Sequence, residues 1–254
     1  DIILFMSGTK NINFSKIKNS KCGIVDPRAA NYDNYKEYDF IIANGLEEKL
    51  FFAYTNLPTF VYPVYPSVKF KKKNKKKNTI IAYHGNKEHL MSMHPRITNA
   101  IRKVSEDHEI ELKLIYNIKD KSGINKKINE EYLNCKVSHI QYYDGCFDKY
   151  LSDVDIGIVP QLNSVKKIKN KKFSGSFLPK KIFKDHYFFS LNFKETTNLG
   201  RHFVFAQSKI PIISDYTLSS SNFINNMKNG ILAYDTLDWY ESLKYLIENK
   251  IKAK

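Results

Sequence analysis

The sequence predicts an α/β fold built from parallel strands and covering helices, arranged in two lobes. Short apolar runs recur along the chain, and most of them precede a stretch whose apolar residues have helical spacing. Repeated units of this kind form parallel sheets that are covered by helices on both faces. The alternation stops at Pro63, Pro66 and a lysine run, and then restarts. The chain of 254 residues is long enough for two lobes joined there.

The first predicted lobe, residues 1–66, contains four short buried strands and two helical stretches. The strands are expected at residues 1–7, 21–25, 40–43 and 59–64, and the helices at residues 13–18 and 47–54. Residues 67–78 follow as a lysine-rich linker, because prolines and then a dense run of like charges cannot continue a buried element.

The second predicted lobe, residues 79–254, repeats the strand and helix alternation over a longer stretch. Strands are expected at residues 79–85, 110–117, 137–144, 155–161, 211–214 and 231–235. Helices are expected at residues 95–105, 124–133, 147–153, 200–208 and 238–249. This pattern predicts a doubly wound sheet, in which ligands bind at the carboxyl ends of the strands.

The net charge of +15 is concentrated in two segments of the chain. The segment from Lys69 to Lys77 holds seven lysines, and the segment from Lys166 to Lys184 holds eight, with no acidic residue in either. The remaining residues carry 26 basic and 26 acidic side chains. Such runs cannot enter a core, so they are expected at the surface, where they attract anionic partners in a salt-dependent way.

Three interpretations of the lysine runs remain open. In the first, the lysine runs are solvated loops. In the second, they bind an anionic membrane surface, where each nearby lysine contributes roughly 1 kcal/mol. Nucleic acid is the less favoured partner, because the sequence shows no helix-turn-helix pattern, zinc spacing or aromatic RNA-binding signature.

Composition indicates a folded, soluble, cytoplasmic protein. Hydrophobic residues make up 42% and aromatic residues 14% of the chain, which argues against disorder, and no apolar run approaches the length of a membrane span. The first ten residues have the character of a strand rather than of a signal peptide. Cys22, Cys135 and Cys146 are odd in number and lack metal-ligand spacing, so reduced thiols are expected.

The segment that begins at Asn198 has the features of a phosphate-binding helix start. Asn198 can cap the helix, Gly200 allows the backbone to approach a ligand, and Arg201 falls in the first turn. There it lies beside free backbone N–H groups and the positive end of the helix dipole. The alternative is a solvated arginine on an ordinary amphipathic helix.

The loop that follows the strand at residues 79–85 is the second candidate for phosphate contact. Gly85 permits a tight turn and Lys87 is near enough to meet a phosphate, while His84 is either an acid or base or is bonded to local backbone. Neither GxGxxG nor a Walker lysine is present, which disfavours ordinary dinucleotide binding and P-loop hydrolysis. The five-residue spacing of His84, His89 and His94, without carboxylates, does not indicate a metal site.

Residues 38–250 resemble GT-B glycosyltransferases, in particular the large retaining family of bacterial enzymes that use nucleotide-diphosphate sugars. EYDFIIANGLEEKLFF resembles the end of the first domain of that family, and YPVYPSVKF resembles its interdomain segment. VSHIQYYDG and FDKYLSDVDIGIVPQ resemble the base-binding loop, short helix and following strand. NLGRHFVFAQSKIPIIS resembles the basic residue, helix and turn, and NGILAYDTLDWYESLKYLIEN the closing strand and helix. The order and spacing of these motifs carry the resemblance.

The resemblance implies a GT-B-like fold of two Rossmann-like lobes, with a short or truncated first lobe and a complete C-terminal donor-binding lobe. It implies metal-independent transfer of a sugar from a nucleotide-diphosphate donor to a hydroxyl of a glycan or glycolipid acceptor. The residues implied to bind the donor diphosphate are Gly85, Asn86, Lys87, Asn198, Gly200 and Arg201. The implied base-binding loop is Tyr143, Asp144 and Gly145. His84 and Glu195 are the candidates for a catalytic role.

The chain departs from the family at the residue that grips the donor ribose. Val204 stands where the family has a glutamate, and Glu195 lies one position away from an earlier glutamate of the family. Two alternative functions therefore stay open, a catalytically silent module that binds nucleotide sugars or glycans, and a basic protein directed to nucleic acid. Location at the inner face of the membrane is a further expectation from the lysine runs.

Overall fold

The computed structural model describes residues 1–6, 9, 12–17, 19–27, 35, 37–63, 65–69, 78–119, 126–162 and 198–249. The chain divides into two compact units. One contains residues 1–64 with residues 165–199, and the other contains residues 65–164 and 200–254. Residues 70–77 and 163–197 lie outside the described residues, so the predicted extents of the two lobes and of the linker stay a prediction.

The first unit is built on a sheet of four parallel strands. They are β1 (Ile2–Met6), β2 (Lys21–Val25), β3 (Phe40–Ala43) and β4 (Thr59–Val61), in the spatial order β1-β2-β3-β4. Helix α1 (Leu46–Phe51) and 3₁₀ turns at Phe14–Ile17 and Phe52–Thr55 lie between these strands along the chain. Ile24, Ile41 and Phe52 lie in the core of this unit. The four strands occur where the sequence predicts them.

Two expectations for the first unit are wrong. Strand β1 is not buried, because Ile2, Leu4 and Met6 on one of its faces are 70%, 53% and 58% exposed. The expected helix at residues 13–18 is only a 3₁₀ turn, none of whose residues is buried. So short a segment gains nothing from packing that would offset the cost of starting an α-helix.

The second unit is built on a sheet of six parallel strands. They are β5 (Thr79–His84), β6 (Ile110–Tyr116), β7 (Lys136–Gln141), β8 (Ile156–Val159), β9 (Ile212–Asp215) and β10 (Ile231–Ala233). Their spatial order is β10-β9-β8-β5-β6-β7, and every neighbouring pair is parallel. The order of winding therefore reverses between β5 and β8. A crevice for ligands is expected at the carboxyl ends of these two strands.

Helices cover both faces of this sheet, as the sequence predicts. They are α2 (Lys87–Met91), α3 (Arg96–Ser105), α4 (Glu130–Leu133), α5 (Cys146–Tyr150), α6 (Gly200–Gln207), α7 (Leu218–Phe223) and α8 (Thr236–Glu248). Ile81 of β5 faces a core cluster with α3 and α8, whereas Ile80 faces a second cluster with α5 and α6. Alternate residues of a strand point to opposite faces, which explains the two clusters. In the described part of the chain, none of the helices has the length and apolar character that crossing a bilayer requires.

The helix boundaries differ from the predicted ones where side chains cap the helix ends. Helix α4 begins only after Asn129, whose side chain accepts a hydrogen bond from the Tyr132 N–H, so the described residues 126–129 are not helical. Helices α2 and α7 were not predicted. Asn86 caps α2, and Thr217 forms a capping box with Ser220 at the start of α7. Caps can start helices too short to show an apolar period.

The residues just before the lysine run pack on helix α6. The ring of Tyr65 stacks on Phe203 with 4.0 Å between the ring centroids. The side chain of Gln207 accepts a hydrogen bond from the Val68 N–H and donates one to the Pro66 carbonyl. Residues 65–68 are therefore held on helix α6 of the second unit by both polar and apolar contacts.

Gly157 of β8 lies directly against the ring of Phe205 of α6, which leads to a first prediction. A methyl group on Gly157 would come within 2.5 to 2.7 Å of three ring atoms, so Gly157→Ala must displace the ring. We expect the free energy of unfolding to fall by about 1 to 3 kcal/mol, measured by urea denaturation. Adding Phe205→Leu makes room, so the double variant should lose less stability than the sum of the single variants. Additive losses would contradict the close contact.

Candidate functional site

The candidate site lies at the carboxyl edge of β5, β8 and β9, which are neighbours across the reversal point of the sheet. His84 ends β5 and is followed by Gly85, while Pro160 and Gln161 follow β8. Asp215 ends β9. Parallel strands end at the same edge, so these residues from distant parts of the chain come together.

Arg201 is the central cation of this edge. It lies in the first turn of α6 and is partly buried, and its Nη1 donates a hydrogen bond of 2.8 Å to the Pro160 carbonyl oxygen. Among the described residues it has no carboxylate within ion-pair distance. Burial lowers the pKa of the Arg201 guanidinium, while Tyr83 and Asp215 act in the opposite direction. A charged, partly buried guanidinium at a helix start favours an anion.

Gly85 lies directly against the Arg201 side chain. Its φ of +137° lies in a region that side chains disfavour, and a Cβ there would be 3.0 Å from Cδ of Arg201 and 3.1 Å from the Tyr83 hydroxyl oxygen. That hydroxyl donates a hydrogen bond of 2.5 Å to the Asn86 carbonyl oxygen. The structure therefore brings Gly85 and Arg201 into direct proximity.

Asn86 and Lys87 form the start of the short helix α2. The side-chain oxygen of Asn86 accepts a hydrogen bond of 3.0 Å from the Glu88 N–H, so it already acts as a cap. Lys87 is the first residue of α2. The roles of both residues in diphosphate binding stay a prediction.

His84 is buried between two aromatic rings. Its ring centroid lies 4.6 Å from that of Phe147 and 4.8 Å from that of Phe205. Burial, and then the charge of Arg201, lowers the pKa of His84 to about 3, so the imidazole is neutral near pH 7. Its Nε2 has no hydrogen-bond partner among the described residues. The same causes lower the pKa of His202 to about 3. Nε2 of His202 lies 2.9 Å from the Ser214 hydroxyl oxygen.

The predicted base-binding loop, residues 143–145, follows β7 and precedes α5. Gly145 has a φ of +79° and is the N-cap residue of α5. The ring of Tyr143 is 48% exposed, so it is accessible to a ligand. The loop is connected to the rest of the edge through Phe147 of α5, which contacts His84.

The other predicted site residues are placed less centrally or are not described. Asn198 is exposed and lies two residues before the start of α6. Val204 is buried among apolar side chains of the second cluster, so it offers no polar group to a ligand. Glu195, the segment from Lys166 to Lys184 and most of the segment from Lys69 to Lys77 lie outside the described residues. The membrane role of the lysine runs stays a prediction.

Sequence reasoning missed the ion pair beside Arg201. The carboxylate of Asp215 is fully buried and accepts hydrogen bonds from both terminal nitrogens of Arg96, with Nη2 to Oδ2 at 2.8 Å. It also accepts from the backbone N–H groups of Gln161 at 2.6 Å and Leu162 at 2.8 Å, and from the Trp239 indole N–H at 3.0 Å. The available signal was an acidic residue directly after an apolar run that ends at the predicted ligand edge.

Metal binding finds no support in the described residues. They contain no group of three or more His, Cys, Asp or Glu side chains that could hold a metal ion. Cys22, Cys135 and Cys146 are free thiols. The metal-independent chemistry that the resemblance implies is still a prediction.

Comparisons with known proteins find similar folds among solved structures. No protein-family model matches the sequence, and no curated protein is significantly similar to it. TarM has a TM-score of 0.65 at 14% identity, over 99% of this chain and 49% of that protein. HepE of Anabaena, in complex with UDP-glucose, has a TM-score of 0.57 at 9% identity, over 94% of this chain and 66% of that protein. A glycosyltransferase of Rickettsia africae has a TM-score of 0.58 at 12% identity, over 98% of this chain and 66% of that protein.

These matches show a likeness of fold. The chain has an α/β, GT-B-like fold, as the sequence predicts. It spans about half the length of TarM and about two thirds of the length of the other two proteins.

The two buried histidines lead to a prediction about pH. Their pKa values in the folded protein, about 3, lie below the ordinary value of 6.5, so the unfolded chain binds more protons between these limits. The free energy of unfolding should therefore fall as pH drops below about 6.5, by up to about 1.4 kcal/mol per pH unit for each histidine. Urea unfolding measures this dependence. Below pH 6.5 the free energy of unfolding of His84→Phe should fall less steeply with decreasing pH than that of the wild type, and above pH 7 the two should depend on pH equally. Equal slopes over the whole range would contradict the buried neutral state of His84.

Proposed function

We propose that the chain binds the diphosphate of a nucleotide-diphosphate sugar at Arg201 and transfers the sugar to a hydroxyl of a glycan or glycolipid acceptor. The observation that carries the proposal is the state of Arg201, a partly buried cation at a helix start that has no ion-pair partner among the described residues. It lies at the edge where a doubly wound sheet binds its ligands. A diphosphate would supply the missing negative charge.

The chemistry that such a site supports is stabilisation of the leaving group. As the glycosidic bond breaks, negative charge grows on the diphosphate oxygens. Arg201 lies in the first turn of α6, at the positive end of the helix dipole, so its guanidinium can stabilise this charge. A single donor of this kind typically contributes about 3 to 4 kcal/mol to the transition state.

His84 has a limited part in this proposal. With its pKa lowered to about 3, the imidazole of His84 is neutral near pH 7, so it does not act as a general acid there. It borders Arg201 without adding a second positive charge. We therefore assign it no proton transfer.

Ligands in two structural neighbours support the nucleotide-sugar part of the proposal. The HepE structure contains UDP-glucose. A structure of a TarM variant from S. aureus contains fondaparinux, α-GlcNAc-glycerol and UDP. A nucleotide diphosphate and saccharides thus occur together on proteins with a similar fold, which is the ligand set that we propose for this chain.

The geometry also suggests a place for the base of the nucleotide. Strand β7 lies two strands from β5 in the sheet, which corresponds to roughly 10 Å at the carboxyl edge. We propose that a nucleotide extends along this edge from Arg201 to the loop at residues 143–145. There the exposed ring of Tyr143 can stack on the base.

One observation favours a second candidate function, a module that binds the donor without transferring its sugar. Val204 stands where the related family grips the donor ribose, and it is 2% exposed within an apolar cluster. A valine there cannot accept a hydrogen bond from the ribose hydroxyls. Loss of that contact leaves the diphosphate as the main anchor of the donor.

The role of Arg201 is tested by separating the phosphates from the nucleoside. Arg201→Ala should weaken binding of a nucleoside diphosphate at least tenfold, because a charge-assisted hydrogen bond is lost, and should leave binding of the nucleoside unchanged. Calorimetric titration measures both affinities. Arg102→Ala is the matched control, since it removes the same charge from α3 on the surface of the same unit and should leave both affinities unchanged. Equal losses for both ligands in the Arg201 variant would place the diphosphate elsewhere.

Transfer and silent binding are distinguished by a donor screen. The thermal stability of the protein should rise with one of UDP-, GDP-, ADP- or CMP-sugars, in proportion to its saturation. The stabilising donor is then incubated with the protein alone and with glycan acceptors, and release of the nucleotide is followed, a nucleoside diphosphate from UDP-, GDP- or ADP-sugars and CMP from a CMP-sugar. Release that depends on Arg201 supports the transferase. Stabilisation without release at any acceptor supports the binding module, and no stabilisation by any donor contradicts both.

A further inference from the structure

The peptide group between Pro160 and Gln161 connects the two charged centres of the candidate site. Its carbonyl oxygen accepts the hydrogen bond of 2.8 Å from Nη1 of Arg201. Its N–H donates the hydrogen bond of 2.6 Å to Oδ2 of Asp215. A peptide group is planar and stiff, so the directions of its C=O and N–H are fixed relative to each other. Whatever holds the N–H therefore also sets where the carbonyl points.

Asp215 is firmly held at the other end of this connection. Its side chain is fully buried and is fixed by Arg96, by Trp239 and by the N–H groups of Gln161 and Leu162. A buried carboxylate with this many donors has little freedom to move, because loss of any donor leaves desolvated charge without compensation. Two consecutive N–H groups bind the same carboxylate oxygen, which fixes the orientation of the peptide rather than only its position.

We propose that Asp215 is a positioning residue for Arg201, acting through the peptide group between Pro160 and Gln161. This inference rests on the proposed function, in which Arg201 binds the donor diphosphate. The carboxylate orients the peptide, and the peptide carbonyl anchors Nη1 of Arg201. The other N–H groups of the guanidinium have no hydrogen-bond acceptor among the described residues, so they can bind the ligand. The bonds in such a chain polarise one another, so each strengthens the next.

The pairing within the site explains why Asp215 does not itself neutralise Arg201. Arg96 takes both oxygens of the carboxylate, and no ion pair between Asp215 and Arg201 is present in the described residues. Asp215 thus orients Arg201 through the backbone while its own charge is compensated by Arg96. Arg201 keeps its capacity to bind an anion.

Inorganic pyrophosphate is the probe for a double-mutant cycle on the full chain. Asp215→Asn removes the negative charge and sets an amide N–H against one group of donors in either orientation, so the peptide between Pro160 and Gln161 is held less firmly. We expect pyrophosphate affinity to fall about tenfold in Asp215→Asn. In the Arg201→Ala background the same change should have little further effect, because its target is already gone. Additive losses would overturn the positioning role, since a purely structural carboxylate would act independently of Arg201.

Trp239→Phe is the matched control for loss of stability. It removes one donor to Oδ1 of Asp215 and leaves the two backbone bonds to Oδ2 in place. We expect it to lower the free energy of unfolding and to leave pyrophosphate affinity within about twofold. A loss of affinity as large as that of Asp215→Asn would show that Asp215 acts only through the stability of the fold, and would overturn the proposal.

A measurement on the wild type covers the case in which Asp215→Asn does not fold. The backbone amide resonance of Gln161 should shift when pyrophosphate is added, because a ligand on Arg201 changes the carbonyl bond of the same peptide group. In Arg201→Ala it should not shift. A wild type that binds pyrophosphate without a shift at Gln161 overturns the positioning role alone. A wild type that binds no pyrophosphate overturns the proposed function as well.

Discussion

The buried carboxylate of Asp215 is the interaction on which the carboxyl edge of the second unit depends. An ionised carboxylate without water costs several kcal/mol unless charged and polar donors replace its hydration. Here the donors come from helix α3, from the loop after β8 and from helix α8. Each of these elements must therefore keep its place relative to β9. The candidate site has a rigid edge because this one charge has to be satisfied.

Two arginines at this edge have opposite roles because their partners differ. Arg96 is neutralised by Asp215, whereas Arg201 donates to a backbone carbonyl and keeps its charge. The neighbouring His84 and His202 are neutral near pH 7, because burial lowers the pKa of each to about 3. Arg201 therefore contributes positive charge to the site, reinforced by the dipole of α6. The same arrangement that stabilises the fold leaves the guanidinium of Arg201 for an anionic ligand.

The proposed recognition of the donor depends on its phosphates more than on its ribose. Gly85 allows the backbone after β5 to approach Arg201, and Val204 turns into the apolar cluster instead of toward a ligand. The diphosphate and ribose contacts of a nucleotide sugar are chemically separate, so one can be kept while the other is absent. A donor held in this way would be selected at its diphosphate and at the loop after β7.

The sequence by itself determined the parallel α/β class and the six strands of the second unit. These follow from local signals, apolar runs and their spacing, which the chain carries in neighbouring residues. That the loop at Gly85 and Arg201 face the same phosphates was implied by the resemblance to GT-B glycosyltransferases. The sequence did not reveal α2 and α7, whose starts depend on side-chain caps. Nor did it reveal that Asp215 pairs with Arg96, 119 positions away, or that His84 is neutral. Only the order of strands and helices in space decides these, because charge pairing and desolvation depend on which distant residues meet.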